Sequence, residues 1–211
     1  MSRCKKCHSK VSRENAANQP YQDHYFHRAK KEGYLSRAVY KLMEIQKSYR
    51  VIDRGMRVLD LGAAPGSWLQ FTSKIVGETG YVVGVDLKPI EYSFPPNVHT
   101  LQGDMRDAEF LAYLADHFGV FDVVMSDMAP DTIGNKHADS ARSAYLVEQA
   151  FELAKKVLKP GGHFLAKIFQ GEDTPGLLKS IREHFQKVKI VKPLASRKES
   201  KEVYILAMSK K

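Results

Sequence analysis

The sequence predicts an α/β fold, a mainly parallel seven-stranded sheet with one antiparallel strand and helices on both faces. Three observations predict it. From Arg57 onward, short β-rich apolar runs alternate with segments of helical length and period. Several runs end in an aspartate beside a loop, as at Asp60, Asp86, Asp104 and Asp127. The last two runs have no helix between them, so they pair antiparallel, whereas parallel strands need crossover helices of nearly fixed hand.

Tyr34 to Tyr49 reads as one helix, with Leu35, Val39, Leu42, Met43 and Ile45 on or near its apolar face. Arg57 to Leu61 is the first strand, and Ser67 to Val76 the helix after it. Tyr81 to Val85 is a strand closed by Asp86. Val98 to Leu101 is another, ended by Gly103-Asp104. Ala108 to His117 is helical, and Phe121 to Met125 is a strand ending at Ser126-Asp127. Leu146, Val147, Ala150, Phe151, Ala154, Val157 and Leu158 form a helical stripe within Ser140 to Leu158, stopped by Lys159-Pro160-Gly161-Gly162. His163 to Phe169 is a strand and Thr174 to Phe185 a helix. Lys187 to Val191 and Val203 to Met208 are the final strands, separated by the basic loop Lys192 to Lys201.

A chain of 211 residues suits one substantial domain, placed at 21–211 behind a basic, flexible N-terminal tail over 1–20. Its 33 basic and 24 acidic residues leave a net charge of +9, which favours a polyanionic partner. No apolar run approaches a membrane span, and Met1 to Pro20 lacks the apolar stretch of a secretory signal. A cytoplasmic monomer without membrane contact is expected. Both cysteines lie in the tail, in Cys4-Lys-Lys-Cys7-His8. A zinc site would need further ligands and no second paired motif follows, so the expectation is two reduced thiols and no metal.

The segment Val58-Leu-Asp60-Leu-Gly62-Ala-Ala-Pro65-Gly66-Ser-Trp68 joins the first strand to its helix. Open α/β sheets bind ligands outside the carboxyl ends of their strands. Glycine at 62 or 66 lets the backbone approach a ligand without a Cβ clash. Asp60 can supply charge for a cationic amino group. The dinucleotide pattern G-x-G-x-x-G is absent, which argues against a pyrophosphate ligand. Asp86 follows the loop by about 20 residues, where an acid can accept hydrogen bonds from both ribose hydroxyls of an adenosine. Asp104 falls within reach of an adenine edge. Each acid alone could be a helix cap or turn residue. Together they line one rim of the sheet.

The chain resembles the FtsJ/RrmJ-type RNA ribose 2′-O-methyltransferases, which are Rossmann-like and S-adenosyl-L-methionine-dependent. The resemblance is carried by Gly33-Tyr-Leu-Ser-Arg-Ala-Val-Tyr-Lys41-Leu, Asp60-Leu-Gly-Ala-Ala-Pro-Gly-Ser-Trp68, Ser126-Asp127-Met-Ala-Pro130, Lys167-Ile-Phe-Gln-Gly171 and Ala195-Ser-Arg-Lys-Glu-Ser-Lys-Glu202-Val-Tyr. It covers roughly 21–211 in one order. It implies a catalytic tetrad of Lys41, Asp127, Lys167 and Glu202. It implies cofactor contacts from Gly66, Trp68, Asp86, Asp104 and Asp127. The implied substrate is a uridine of large-subunit ribosomal RNA within the ribosomal subunit. The chain departs from the pattern at Ser67, where bacterial members often have glycine. Glu199 competes with Glu202 for the tetrad carboxylate; Glu202 immediately precedes Val203-Tyr204, as the motif requires.

Methyl transfer to an alcohol needs in-line placement and help with the hydroxyl proton. Lys167, at a strand end, is the base or the group that orients the hydroxyl and stabilises developing charge. A lysine in water is almost wholly protonated near neutral pH, and a neighbouring cation such as Lys41 would favour the neutral amine. Asp127 and Glu202 pull the other way. The alternative for Lys167 is a snorkelling strand lysine, and for Lys41 a solvated helix face. Trp68 is either helix–sheet packing or a ligand contact; Tyr204 is either core or a base-stacking ring.

Basic residues gather at two edges of this region. Arg28, Lys30, Lys31, Arg37 and Lys41 form one group; Lys187, Lys189, Lys192, Arg197, Lys198 and Lys201 form the other. Such groups grip phosphates. Tyr21, Tyr25, Phe26 and Tyr34 interleave with the first group and could stack unpaired bases or pack the first helix. A tRNA-directed enzyme, a small-molecule or protein methyltransferase, and a non-catalytic RNA-binding assembly factor on the same scaffold are the rival readings.

Overall fold

A computed structural model of the chain describes residues 19–197 and 199–211, with side chains from residue 24 onward. The elements in order are α1 (Gln19–Lys31), α2 (Val39–Tyr49), β1 (Arg57–Leu61), α3 (Ser67–Val76), β2 (Tyr81–Asp86), β3 (Val98–Gln102), α4 (Ala108–Phe118), β4 (Phe121–Ser126), α5 (Lys136–Val157), β5 (Leu158–Phe169), α6 (Thr174–His184), β6 (Phe185–Val191) and β7 (Glu202–Lys210). They build a seven-stranded sheet of order β3-β2-β1-β4-β5-β7-β6. The β3-β2-β1-β4-β5 ladders are parallel, and β7 runs antiparallel to both β5 and β6. The predicted mixed sheet is therefore present, with β7 as its reversed strand.

Strand order changes direction at β1 and β4, and crossover helices on opposite faces leave a crevice at their carboxyl ends. One face packs against α4, α5 and α6 through a core including Leu114, Phe151, Ala154 and Ile181. The other packs against α2 and α3 through Leu42, Ile45, Trp68 and Leu69. Phe121, Phe151 and Phe164 are fully buried, each contributing roughly 2–3 kcal/mol of transfer free energy. A smaller cluster of Ala29, Val39, Tyr40 and Ala195 seats α1 on α2 and reaches the β6–β7 loop.

Three expectations about elements need correction. The single helix over Tyr34 to Tyr49 is shorter, starting at Val39, and a separate α1 precedes it. Gly33, at φ +76°, turns the chain after α1. The Gln70 side chain of α3 accepts from the Leu35 amide at 2.9 Å and donates to the Gly33 carbonyl at 3.0 Å, holding this segment out of the helix. The α5 helix starts earlier than Ser140, because Asn135 caps it by accepting from the His137 and Ala138 amides. Lys159-Pro160-Gly161-Gly162 does not separate helix from strand. It lies inside β5, where the register against β4 shifts between Phe121 and Val123 and Gly161 takes φ +79°. The Cys4, Cys7 and His8 expectation lies outside the described residues.

Candidate active site

The period of two along a strand decides which side chains meet. Val58, Met125, Leu165 and Leu206 all face the α2–α3 layer. Asp60, Asp127, Lys167 and Tyr204 share their parity, so four strand ends bring three ionisable side chains and a phenol to one face. Register does the rest, since Lys167 lies opposite Tyr204 and Phe169 opposite Glu202.

Lys167 is 7% exposed, and its Nζ donates to the Asp127 backbone carbonyl and lies 3.1 Å from Asp127 Oδ1. The Tyr204 hydroxyl donates to the same Oδ1 at 2.6 Å. On α2, Lys41 Nζ stands 2.7 Å from Glu202 Oε1, which also accepts from Ser196 Oγ at 2.8 Å. The Lys41 ammonium lies 6.0 Å from the centre of the Tyr204 ring, so this tyrosine bridges the two ion pairs. All four tetrad positions thus come together at the carboxyl rim. Glu202, rather than the exposed Glu199, meets Lys41. Tyr204 is wholly buried, which leaves its ring no base to stack on. Burial, and then Asp127 and Glu202, push its phenol well above the ordinary range.

Asp60 is the least comfortable group in this region. It is 1% exposed, and neither carboxylate oxygen has a hydrogen-bond partner among the described residues. Burial, followed by the charges of Asp127 and Asp86, drives its carboxyl well above the usual carboxylate range. An orphaned buried acid directly behind Leu61 and Gly62, which line the crevice, fits a cationic ligand group.

That crevice is a cavity of about 750 Å³, within the size range of small-molecule sites. Gly62, Asp86, Asp104, Asp127 and, from α5, Arg142 and Tyr145 are among its lining residues. Gly62 adopts φ +75°, and a Cβ there would meet Met128 Cγ at 2.5 Å. The Asp86 carboxylate shapes the loop by accepting from the Ala64 and Lys88 amides, each at 2.9 Å. Asp104 is engaged by Arg106, whose Nε lies 2.9 and 3.0 Å from its two oxygens, and this holds the carboxyl below its ordinary range. An adenine edge reaching Asp104 would have to share it with that guanidinium. The size, the glycine cradle, the rim of acids and the orphaned Asp60 fit an adenosyl amino acid.

Two implied contacts stand apart from this cavity. A Cβ on Gly66 would meet Phe94 at 2.6 Å, so that glycine serves close packing. The Trp68 indole N–H donates to the Ala38 carbonyl at 3.0 Å, and its ring lies 6.0 Å from that of Tyr204. Trp68 is helix–sheet packing behind the catalytic rim. Sequence reasoning missed Ser196, Arg106, Arg142 and Tyr145. Only Arg106, two residues from Asp104, had a local signal.

Two basic segments far apart in sequence also meet here. Glu44 on α2 accepts from the Leu194 and Ala195 amides at 2.5 and 3.0 Å, and Arg37 Nη2 donates to the Ala195 carbonyl at 3.3 Å. These contacts fasten the β6–β7 loop, with Lys192, Arg197 and Lys201, beside α2. Within the first group Arg28 is occupied by Glu32 at 2.7 Å. Of the interleaved aromatics, Tyr25 and Tyr34 pack on Tyr40 at 5.2 and 6.4 Å, while Phe26 stays 58% exposed. Tyr21 and Lys198 carry no described side chain.

The sheet order, the switch-point crevice and its acids define an S-adenosyl-L-methionine-dependent methyltransferase fold. Within that class, the chain belongs to the FtsJ-like methyltransferase family, whose model matches residues 34–210. It is 59% identical over 186 residues to "Ribosomal RNA large subunit methyltransferase E" of Syntrophobacter fumaroxidans, covering 88% of this chain and 94% of that one. The Bdellovibrio bacteriovorus protein of the same name is 44% identical over 191 residues, covering 90% and 97%. Among solved structures, a Plasmodium falciparum protein provisionally named a ribosomal RNA methyltransferase superposes with a TM-score of 0.71 at 28% identity, covering 84% of this chain and 98% of that one. Aeropyrum pernix fibrillarin, solved with S-adenosyl-L-methionine natively bound, shares the fold at TM-score 0.55 and 19% identity, covering 82% and 74%. This chain is a methyltransferase, and its methyl donor is S-adenosyl-L-methionine.

Proposed function

We propose that this methyltransferase modifies a ribose 2′-hydroxyl in large-subunit ribosomal RNA, a uridine being the expected nucleoside, and that Lys41, Asp127, Lys167 and Glu202 form its catalytic group. The carrying observation is that two ion pairs, Lys167–Asp127 and Lys41–Glu202, meet around one buried tyrosine at the rim of the donor cavity. The two sequence relatives, of Syntrophobacter fumaroxidans and Bdellovibrio bacteriovorus, are both named as large-subunit ribosomal RNA methyltransferases, which supports the substrate.

S-adenosyl-L-methionine supplies an electrophilic methyl group on its sulfonium. Asp86 and Asp104, at the ends of β2 and β3, are the residues that would hold its adenosine. Asp60, buried behind the lining residues Leu61 and Gly62 with neither carboxylate oxygen bonded among the described residues, is the acid that would balance its amino group. The chain's own contribution to the chemical step is at Lys167 Nζ. Its contacts with the Asp127 carbonyl and carboxylate occupy two of its bonding directions. The remaining one can meet the substrate oxygen. As a neutral amine, Nζ takes the hydroxyl proton as the carbon–oxygen bond forms and the carbon–sulfur bond breaks. As an ammonium it orients the hydroxyl and steadies charge on the oxygen. Lys41, held by Glu202, adds positive charge on the substrate side. The β6–β7 loop, fastened to α2 by Glu44, brings Lys192, Arg197 and Lys201 to the side of the first basic group, where they would meet RNA phosphates. A 2′-hydroxyl acceptor restricts the reaction to RNA.

The test uses undermethylated large ribosomal subunits and bulk tRNA as alternative acceptors, with labelled donor and mass-spectrometric mapping of the modified nucleotide. A single 2′-O-methyl mark on the subunit RNA is expected. Transfer to tRNA alone would overturn the substrate assignment, and methylation at a base would overturn the reaction.

A further inference from the structure

We propose that Leu194 is an apolar wedge that the enzyme places against an unstacked base of its RNA substrate beside the reacting ribose. The inference rests on the RNA-directed reading above and extends it to a substrate-positioning residue.

Leu194 is 78% exposed, a value no other large apolar side chain among the described residues reaches. Its surroundings are ordered by specific contacts. Pro193 to Ser196 forms a turn closed by the Ser196 amide on the Pro193 carbonyl at 3.0 Å. The next residue, Ala195, is 2% exposed and plugs into the α1–α2 cluster with Val39 and Tyr40. Glu44 holds both the Leu194 and Ala195 amides. Ser196, buried, reaches back to Glu202, the partner of Lys41. The turn is therefore anchored on both sides of Leu194 while its side chain projects into solvent. The projection is a consequence of fixed backbone geometry.

The surroundings select the partner. Lys192, Arg197 and Lys201 share the loop, and Arg37 and Lys41 lie on the elements it packs against. The Glu44 carboxylate is spent on the two backbone amides, and an exposed leucine on a loop that carries these cations suits an occupant that offers phosphates around an apolar face, which describes a nucleotide with an unstacked base. Ser196, two residues further on in the same turn, bonds directly to Glu202, which ties the turn to the catalytic rim. Sequence-specific RNA recognition targets unpaired bases splayed out of the stack, and a branched apolar side chain held in place packs against such a base at little entropic cost.

The experiment measures methyl transfer to undermethylated large subunits by the wild-type chain, Leu194→Ser and Leu194→Met, across a range of salt concentrations. Leu194→Ser is expected to lower kcat/KM about tenfold, mainly through KM, from the apolar burial lost. Leu194→Met should recover most of it. Donor affinity and melting temperature should stay at wild-type values, because the side chain is solvent-exposed. The slope of log kcat/KM against log salt should also be unchanged by Leu194→Ser, since no phosphate contact is lost, whereas Lys192→Ala should flatten it. In parallel, a photoactivatable diazirine analogue of leucine at position 194 should crosslink to RNA at or next to the methylated nucleotide. Wild-type KM in Leu194→Ser, or crosslinks to a ribosomal protein in place of RNA, overturns the wedge alone. A wild-type chain that transfers no methyl group to the subunits overturns the RNA reading and the wedge with it.

Discussion

Replacing Lys167 with methionine keeps its unbranched stem and removes its amine, and the consequences divide cleanly between catalysis and stability. In the native chain Asp127 Oδ1 has Lys167 Nζ at 3.1 Å and the Tyr204 hydroxyl at 2.6 Å. At an effective dielectric of about 20, the attraction across that ion pair is about 5 kcal/mol before desolvation is subtracted. With side-chain exposures of 7% and 17%, the pair is dry enough for its loss to be felt. Tyr204 still donates to the carboxylate after Lys167→Met, which limits the loss to about 2–4 kcal/mol. In a domain of this size that lowers Tm by about 5–15 °C. Asp127→Asn added to Lys167→Met removes the stranded charge next to buried Asp60. The double variant should regain about 1–3 kcal/mol relative to the sum of the singles. Urea unfolding of the four proteins measures the cycle. For catalysis, Lys167→Met should lower kcat by about 10²–10⁴-fold. Donor affinity by calorimetry should stay within about twofold, because Lys167 does not line the donor cavity. Additive stability effects would refute the ion-pair argument, and near-normal kcat would refute both chemical roles of the lysine.

Asp60 sets a pH dependence. Its carboxyl is raised in the folded state by burial and by Asp127 and Asp86, so the folded chain retains a proton that the unfolded chain releases above about pH 4. The folded state then binds more protons than the unfolded, and Asp60's contribution to stability falls as pH rises from there through the folded value. Asp60→Asn removes that slope, so its stability relative to wild type should grow across about pH 5–8 in the ligand-free protein; a constant difference over that window contradicts the buried-acid account. Asp86→Ala should weaken donor binding about 10- to 100-fold, since it removes an acid from the cavity and releases the Ala64 and Lys88 amides it holds. Calorimetry showing less than a twofold change would remove Asp86 from the donor site.

Much of the sheet was legible because local periodicity and burial agree. Val58-Leu-Asp60-Leu and Phe121 to Ser126 are apolar runs buried on both faces, as central parallel strands require. The aspartates mark where those runs leave the sheet, so the rim of acids could be read from residue order. The grouping of Lys167 with Asp127 came from the family resemblance, and the strand ends bring the two together at one edge. Other features could not be read this way. The break before α2 depends on Gln70, whose amide takes the backbone bonds a helix would have used. The bulge within β5 depends on a register shift against β4 that no local pattern announces.

What the sequence alone determined is the order of the elements from β1 onward, the hand of the crossovers and the parity of each strand, because these follow from hydrophobic period and chain chirality. Tertiary structure alone decided which distant residues share an atom-scale site. Glu44 clamps a loop 150 residues away, and Trp68 turns its indole to Ala38 instead of the cavity. Each is a choice among several available hydrogen-bond partners, and only the packed chain fixes which partner lies within about 3 Å.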